Sequence, residues 1–269
     1  MNGRSGCRGL ESLMNLPNFL DLSGRTALVT GSSRGIGRAI ALGLAECGAA
    51  VAVHGTQPTQ ALEDTVADVQ RISPRSIAVT GDLVLTDVPL RLVTEVSARL
   101  GSLDILVANA SVQIRKPWAE VTDEEADQQM QINFHATLRM IQAAVPGMRA
   151  RRWGRILTIG SVQQRRPHPD MVVYAASKAA QENLVRNLAK QLGPEGITIN
   201  NLAPGVILTD RNTPALADET YAERVRQMIP VRYFAEATDC AGAALLLCSD
   251  AGRYITGVDL QVDGGMCLP

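Results

Sequence analysis

From Gly24 onward, short apolar, β-branched runs alternate with longer stretches whose apolar positions recur every three or four residues. The runs are RTALVT (25–30), AAVAVHG (49–55), RSIAVT (75–80), LDILVAN (103–109), GRILTIG (154–160), ITINNLA (197–203) and VDLQV (258–262). The intervening spacing predicts helices at about 35–47, 58–72, 87–100, 122–149, 172–192 and 236–248. Strands that are apolar on both faces and separated by helices predict a parallel sheet covered on both sides, with right-handed crossovers. Thr122 to Glu125 reads as a capping box opening the helix expected at 122–149, and Gly193-Pro194 as the end of the one at 172–192. The segment from about 206 to 235 breaks the alternation and is expected to form a lid over a site. No repeat or Pro/Ser-rich linker divides the chain, so one domain is expected over 22–269, preceded by a loosely ordered extension at 1–21.

Bulk properties narrow the function. A chain of 269 residues can bury a large core. A net charge of −1 and 3% aromatic residues give neither the basic field nor the stacking surface of a nucleic-acid binder. Cys7, Cys47, Cys240, Cys248 and Cys267 are an odd number without a C-x-x-C pair, against a disulfide framework or zinc site. That usage suits a reducing, cytoplasmic setting. No stretch approaches the roughly 20 apolar residues of a membrane span, and the first twenty residues lack the continuous apolar core of a signal peptide.

Candidate chemistry begins at Thr30-Gly31-Ser32-Ser33-Arg34-Gly35-Ile36-Gly37, between the first strand and the first helix. A glycine loop in that position presents free N–H groups and the helix dipole to a pyrophosphate. Gly31 is expected to permit the turn, Gly35 the approach to phosphate, and Gly37 close packing. At the end of the second strand stand His54, Gly55, Thr56 and Gln57, without the carboxylate that accepts from the ribose of NAD. Arg34 with Ser33 and Thr56 suits a 2′-phosphate, so NADP(H) is expected over NAD.

Tyr174 and Lys178 stand four residues apart, on one face of the helix expected at 172–192, with Ser161 closing the strand run upstream. The reading is that the ammonium lowers the phenol pKa and that the Ser161 hydroxyl holds the substrate oxygen against the same phenol.

These motifs, with Gly81-Asp82-Leu83, Asn109-Ala110, Asn133 and Pro204-Gly205-Val206-Ile207 plus Thr209, occur in the order and spacing of the short-chain dehydrogenase/reductase family, which the chain resembles from Leu22 to Pro269. GRILTIGSV, GPEGITINNLAPG and YITGVDLQVDGG look most like the 3-oxoacyl-(acyl-carrier-protein) reductase branch. The resemblance implies one Rossmann-type α/β domain with a seven-stranded parallel sheet and helices on both faces, reducing a ketone by hydride transfer. It implies that Asp82 and Leu83 meet the adenine, that Asn109, Ala110 and Ser111 line the ribose passage, and that Pro204, Gly205, Val206, Ile207 and Thr209 border the nicotinamide. It further implies that Tyr174 delivers the proton, Ser161 steadies the alkoxide, Lys178 holds the nicotinamide ribose, and Asn133 anchors a water that links Lys178 to solvent. One departure is visible: the family's Asn-Asn-Ala-Gly is Ala108-Asn109-Ala110-Ser111 here, which places a side chain at the junction of cofactor and substrate.

Arg115, Arg165, Arg166 and His168 are expected near the pocket mouth, either greeting an anionic or polyhydroxylated carbonyl compound or forming a solvated rim. In the resembled branch, basic residues at the positions of Arg152 and Lys190 help dock an acidic acyl carrier protein. A sugar, polyol or other secondary-alcohol dehydrogenase is the alternative reading, and a non-catalytic NADP(H)-binding regulator a remote one. The resemblance also implies a homotetramer.

Overall fold

In the computed structural model, which describes residues 16–269, the seven apolar runs become β1 (Thr26–Val29), β2 (Ala50–Gly55), β3 (Ile77–Thr80), β4 (Ile105–Ala108), β5 (Gly154–Ile159), β6 (Ile197–Pro204) and β7 (Asp259–Val262). They form one all-parallel sheet in the order β3-β2-β1-β4-β5-β6-β7. The order reverses between β1 and β4. At such a switch point the crossovers leave on opposite faces and open a crevice at the carboxyl ends of the strands.

The helices are α1 (Leu16–Leu20), α2 (Gly35–Glu46), α3 (Gln60–Ile72), α4 (Val88–Leu100), α5 (Asp123–Met130), α6 (Ala136–Arg151), α7 (Val172–Leu192), α8 (Thr213–Leu216), α9 (Glu219–Gln227) and α10 (Ala237–Cys248). Successive residues of each strand feed opposite faces. Leu28, Leu106 and Ile156 pack with Leu92, Met140 and Val185 of α4, α6 and α7, whereas Ala27, Val29, Ile105, Val107 and Leu157 pack with Ile40, Leu62 and Leu247 of α2, α3 and α10. Burial on both sides is why these strands read as unbroken apolar runs.

The expected helix at 122–149 begins on the predicted Thr122 capping box but contains a π-helical turn, Gln131–His135, between α5 and α6. Gly193-Pro194 ends α7 at Leu192 as expected, and a tighter turn, Gly193–Glu195, follows and ends at Gly196. The expected loose extension at 1–21 falls mostly outside the described residues, while α1 lies within it. The segment 206–235 carries α8 and α9, and its ends meet where Leu208 donates to the Ala235 carbonyl at 2.7 Å and Ala235 to Val206 at 3.2 Å.

Candidate active site

The loops after β1, β2, β3, β4, β5 and β6 enclose a cleft of about 1150 Å³. Every expected cofactor and catalytic residue lines it except Asn133 and Lys178, which lie fully buried behind it.

The first wall is the glycine loop. Gly31 has φ +61, and a Cβ there would meet the Ala110 Cα at 2.9 Å. Gly35 opens α2 with φ +58. A Cβ on Gly37 would fall 2.5 Å from both the Asn109 Nδ2 and the Gly31 carbonyl, so its tight packing is against the loop itself rather than the strand. No side chain caps the first turn of α2, which leaves its N–H groups facing the cleft for an anion. A dinucleotide pyrophosphate fits this cradle, since any added side chain would fill it.

Several of the expected cofactor residues also tie the loops of the cleft together. His54 is buried; its Nδ1 accepts from the Gly31 N–H at 3.0 Å and its Nε2 lies 3.0 Å from the Gly81 carbonyl, so the ring ties two cofactor loops together. Burial holds its pKa down at about 4, so it is neutral. Asn109 donates to the carbonyls of Thr30 and Gly31 at 2.8 and 2.9 Å, bracing the glycine loop from β4. Leu83 packs into the core, and Asp82 Oδ1 accepts from Val84 N, closing a turn. Arg34 reaches across the groove to Asp210 at 3.1 Å; both side chains are well exposed, so a phosphate can compete for the guanidinium. Thr56 and Ser33 line the same end.

The second wall carries the candidate acid–base set. Ser161 follows β5 and caps the short turn Val162–Gln164, accepting from Gln163 N at 3.2 Å. Tyr174 sits in the first turn of α7, with Ser161 within hydrogen-bonding reach of its phenol. Tyr174 and Lys178 share a face as expected, but the ammonium points past the ring, 5.7 Å from its centroid. Its Nζ donates to the Ile159 carbonyl at 2.7 Å and to Gln181 Oε1 at 3.3 Å. The expected lowering of the phenol pKa by Lys178 is therefore corrected. Burial raises the Tyr174 pKa, and the groups that oppose this rise are Arg211 and Ser161. Lys178 is itself pushed down to about 7, by burial and by Arg211.

Asn133 lies in the π-helical turn. Its side chain closes a pair of bonds with Val112, accepting from N and donating to O, each at 2.9 Å. The same amide donates to Ser177 Oγ at 3.0 Å, and Ser177 to the Tyr174 carbonyl at 2.7 Å. The extra backbone residue of a π turn aims one side chain inward without ending the helix. Hydrogen bonds also connect the Asn133 backbone to the lysine: Lys178 to Gln181, Gln181 Nε2 to Thr137 Oγ1 at 3.2 Å, and Thr137 Oγ1 to the Asn133 carbonyl at 3.2 Å.

Of the expected rim, Arg115, Arg166 and His168 line the cleft. Arg165 does not: it turns to Asp259 at 2.9 Å and to Glu182. Arg211 is the residue that sequence reasoning missed. It stands two positions past Thr209, yet its guanidinium bonds Ser111, one hundred residues upstream, and nothing in the local pattern signals that span.

A family profile described as enoyl-(acyl carrier protein) reductase matches residues 31–267. A 3-oxoacyl-(acyl-carrier-protein) reductase of Staphylococcus aureus is 37% identical over 244 residues, covering 91% of this chain and 98% of its own. A gluconate 5-dehydrogenase of Gluconobacter oxydans is 33% identical over 255 residues, covering 95% and 99%. Among solved structures, a 3-oxoacyl (acyl-carrier-protein) reductase from Agrobacterium tumefaciens C58 with NADP bound superposes with a TM-score of 0.89 at 36% identity, over 95% of this chain and 99% of that one. Both the sheet order and the glycine-loop cleft are thus held in common with proteins of known class, and the chain belongs to the short-chain dehydrogenase/reductase family of oxidoreductases.

Proposed function

We propose that the chain is an NADP(H)-dependent oxidoreductase that reduces a ketone to a secondary alcohol on a small, polar carbonyl compound. The observation that carries this reading is the placement of Ser161 and Tyr174 together in a cleft shared with the glycine loop, with Lys178 behind them. A nicotinamide held along the glycine loop and the Pro204–Thr209 stretch would supply hydride for the carbonyl carbon. Ser161 and Tyr174 hold the carbonyl oxygen, and Tyr174 gives it a proton as charge builds there. A phenol whose pKa is raised is protonated at neutral pH, the state that reduction requires. Lys178, with a pKa of about 7, can both give and take a proton at working pH, and the Gln181–Thr137–Asn133 chain holds it in place. NADP(H) over NAD rests on Arg34, Ser33 and Thr56 at the open end of β2 and on the NADP in the similar solved structure. The segment 206–235 acts as the lid.

The basic groups on the cleft, Arg115, Arg166 and Arg211 with His168, favour a sugar-derived or acidic substrate, the class of the gluconate relative. A carrier-linked 3-oxoacyl substrate is the second reading, favoured by the identity to the Staphylococcus reductase. Against it, Arg149 is engaged by Glu195 at 2.8 Å and Arg152 by the Pro194 carbonyl at 3.2 Å, which leaves Lys190 as the freer docking charge. Assembly as a homotetramer and a cytoplasmic site are part of the same proposal; among the described residues no helix is long and apolar enough to cross a membrane.

The test is NADPH oxidation against a panel of sugar and oxo acids, simple ketones, and 3-oxoacyl esters on coenzyme A or carrier protein. Turnover of at least one polar ketone, faster with NADPH than NADH, is expected. A marked advantage for NADH would refute the cofactor assignment, and NADPH binding without any turnover would favour a regulator.

A further inference from the structure

We propose that Arg211 is the receptor for a substrate carboxylate, so that the preferred substrate is a short oxo acid with its acid group one or two carbons from the ketone; this rests on the NADP(H)-dependent reductase reading above. Arg211 leaves the lid just before α8 and crosses the cleft to the loop after β4. Its Nη1 donates to Ser111 Oγ at 3.1 Å and its Nη2 to the Ser111 carbonyl at 2.8 Å. Arg211 and Tyr174 line the same cleft.

Charge separates Arg211 from two of its neighbours. Arg34 faces Asp210 at 3.1 Å, and Arg115 faces Asp170 at 3.7 Å. Arg166 likewise has only neutral acceptors, but they hold it at the Met266 carbonyl, at 2.6 Å, and the Met228 sulfur, at 3.3 Å, rather than at the loop after β4. Arg211 has no carboxylate partner among the described residues, and Ser111 offers only neutral acceptors, so the exposed guanidinium keeps its charge for a ligand in the cleft. A planar guanidinium in that state matches a carboxylate in shape and charge.

Geometry then limits the substrate. A ketone oxygen held by Ser161 and Tyr174 lies in the cleft that Arg211 also lines. A carboxylate attached near that ketone meets Arg211 without moving the carbonyl; one at the end of a long acyl chain does not. Ser111 thereby gains a purpose. The side chain where the family pattern has glycine supplies one of the two bonds that hold the guanidinium over the site. The backbone carbonyl supplies the other, and any residue retains it.

The experiment compares an oxo acid with its methyl ester, using NADPH, in wild type, Arg211→Met, Arg211→Lys and Ser111→Gly, with NADPH affinity titrated separately. Wild type is expected to favour the acid. Arg211→Met should lower kcat/KM for the acid by about 100-fold, chiefly through KM, while the ester loses far less. Arg211→Lys should restore part of the preference, and Ser111→Gly should raise the KM for the acid a few-fold. Three outcomes would overturn the proposal: equal losses on acid and ester; a fall in NADPH affinity with the acid preference intact, which would make the cofactor phosphates the anion; or a wild type indifferent to the carboxylate. If wild type reduces only neutral ketones, this inference fails while the proposed function survives; if nothing on the panel oxidises NADPH, the proposed function fails too.

Discussion

The two ends of the sheet treat buried charge in opposite ways. At the amino ends of the strands, Asp104 takes hydrogen bonds from Thr26 N, Ser102 Oγ and Arg151 Nε, all within 3.0 Å. Beside it, Arg155 bonds the carbonyls of Ser249 and Gly154 and the carboxylate of Asp250, while Trp153 lies between the guanidiniums of Arg25 and Arg155. At the carboxyl ends, Lys178 is buried with only a carbonyl and an amide for company, and Arg211, exposed at the cleft, bonds only Ser111. A buried charge without a counter-ion costs several kcal/mol, so a fold keeps one only where something else requires it. Where charge is cancelled by the protein, it serves the fold; where it is left over, a ligand completes it.

The largest effect is expected at the carboxyl end. Tyr174→Phe removes the proton donor and should cut turnover by about 10³-fold, leaving NADPH affinity and the unfolding midpoint near wild type; a variant keeping a tenth of the activity would remove the phenol from the mechanism. At the amino end the same kind of deletion should act on stability alone. Asp104→Ala strands Arg151 and the Thr26 N–H, costs roughly 3 kcal/mol and lowers the midpoint by about 6–12 °C, with turnover per folded molecule unchanged. Thermal melts beside active-site titration would separate the two.

His54 gives a smaller, pH-dependent effect. Its folded pKa of about 4 lies below the ordinary 6.5, so between those values the unfolded chain binds the proton that the folded one refuses. Stability is therefore complete above pH 6.5 and should fall by about 2 kcal/mol on acidification to pH 5. His54→Asn should flatten that part of the profile, as read by chemical denaturation at a series of pH values. The smallest effect belongs to a pair that is matched but half-exposed: Arg149→Ala, which breaks the contact with Glu195, should change stability by less than about 1 kcal/mol.

The sheet was legible because both faces of each strand are buried, which writes continuous apolar runs such as ALVT and ILVA into the chain. The glycine loop and the Ser161, Tyr174 and Lys178 set were legible because backbone constraint and helical spacing are local. What escaped was set by contacts across the fold. The π turn at Gln131–His135 leaves no mark in a periodic pattern, since one extra residue serves the bonds of Asn133 to Val112 and Ser177. Spacing puts Lys178 on the phenol's face but not on the phenol: the Ile159 carbonyl, from a neighbouring strand, accepts its hydrogen bond. Likewise, a sequence places Arg211 in a lid without giving the distance to Ser111.

The contrast between cancelled and uncancelled charge is tested most directly by Lys178→Met, with turnover measured with NADPH and stability measured from pH 7 to 9 in the absence of nucleotide. With a folded pKa of about 7 against an ordinary 10.5, the wild-type lysine is destabilising when protonated and sheds that cost as pH rises through this window. Wild type should thus gain about 2 kcal/mol relative to the variant between pH 7 and 9, while the variant loses at least about 10²-fold in turnover. Parallel stability profiles with activity retained would contradict the account.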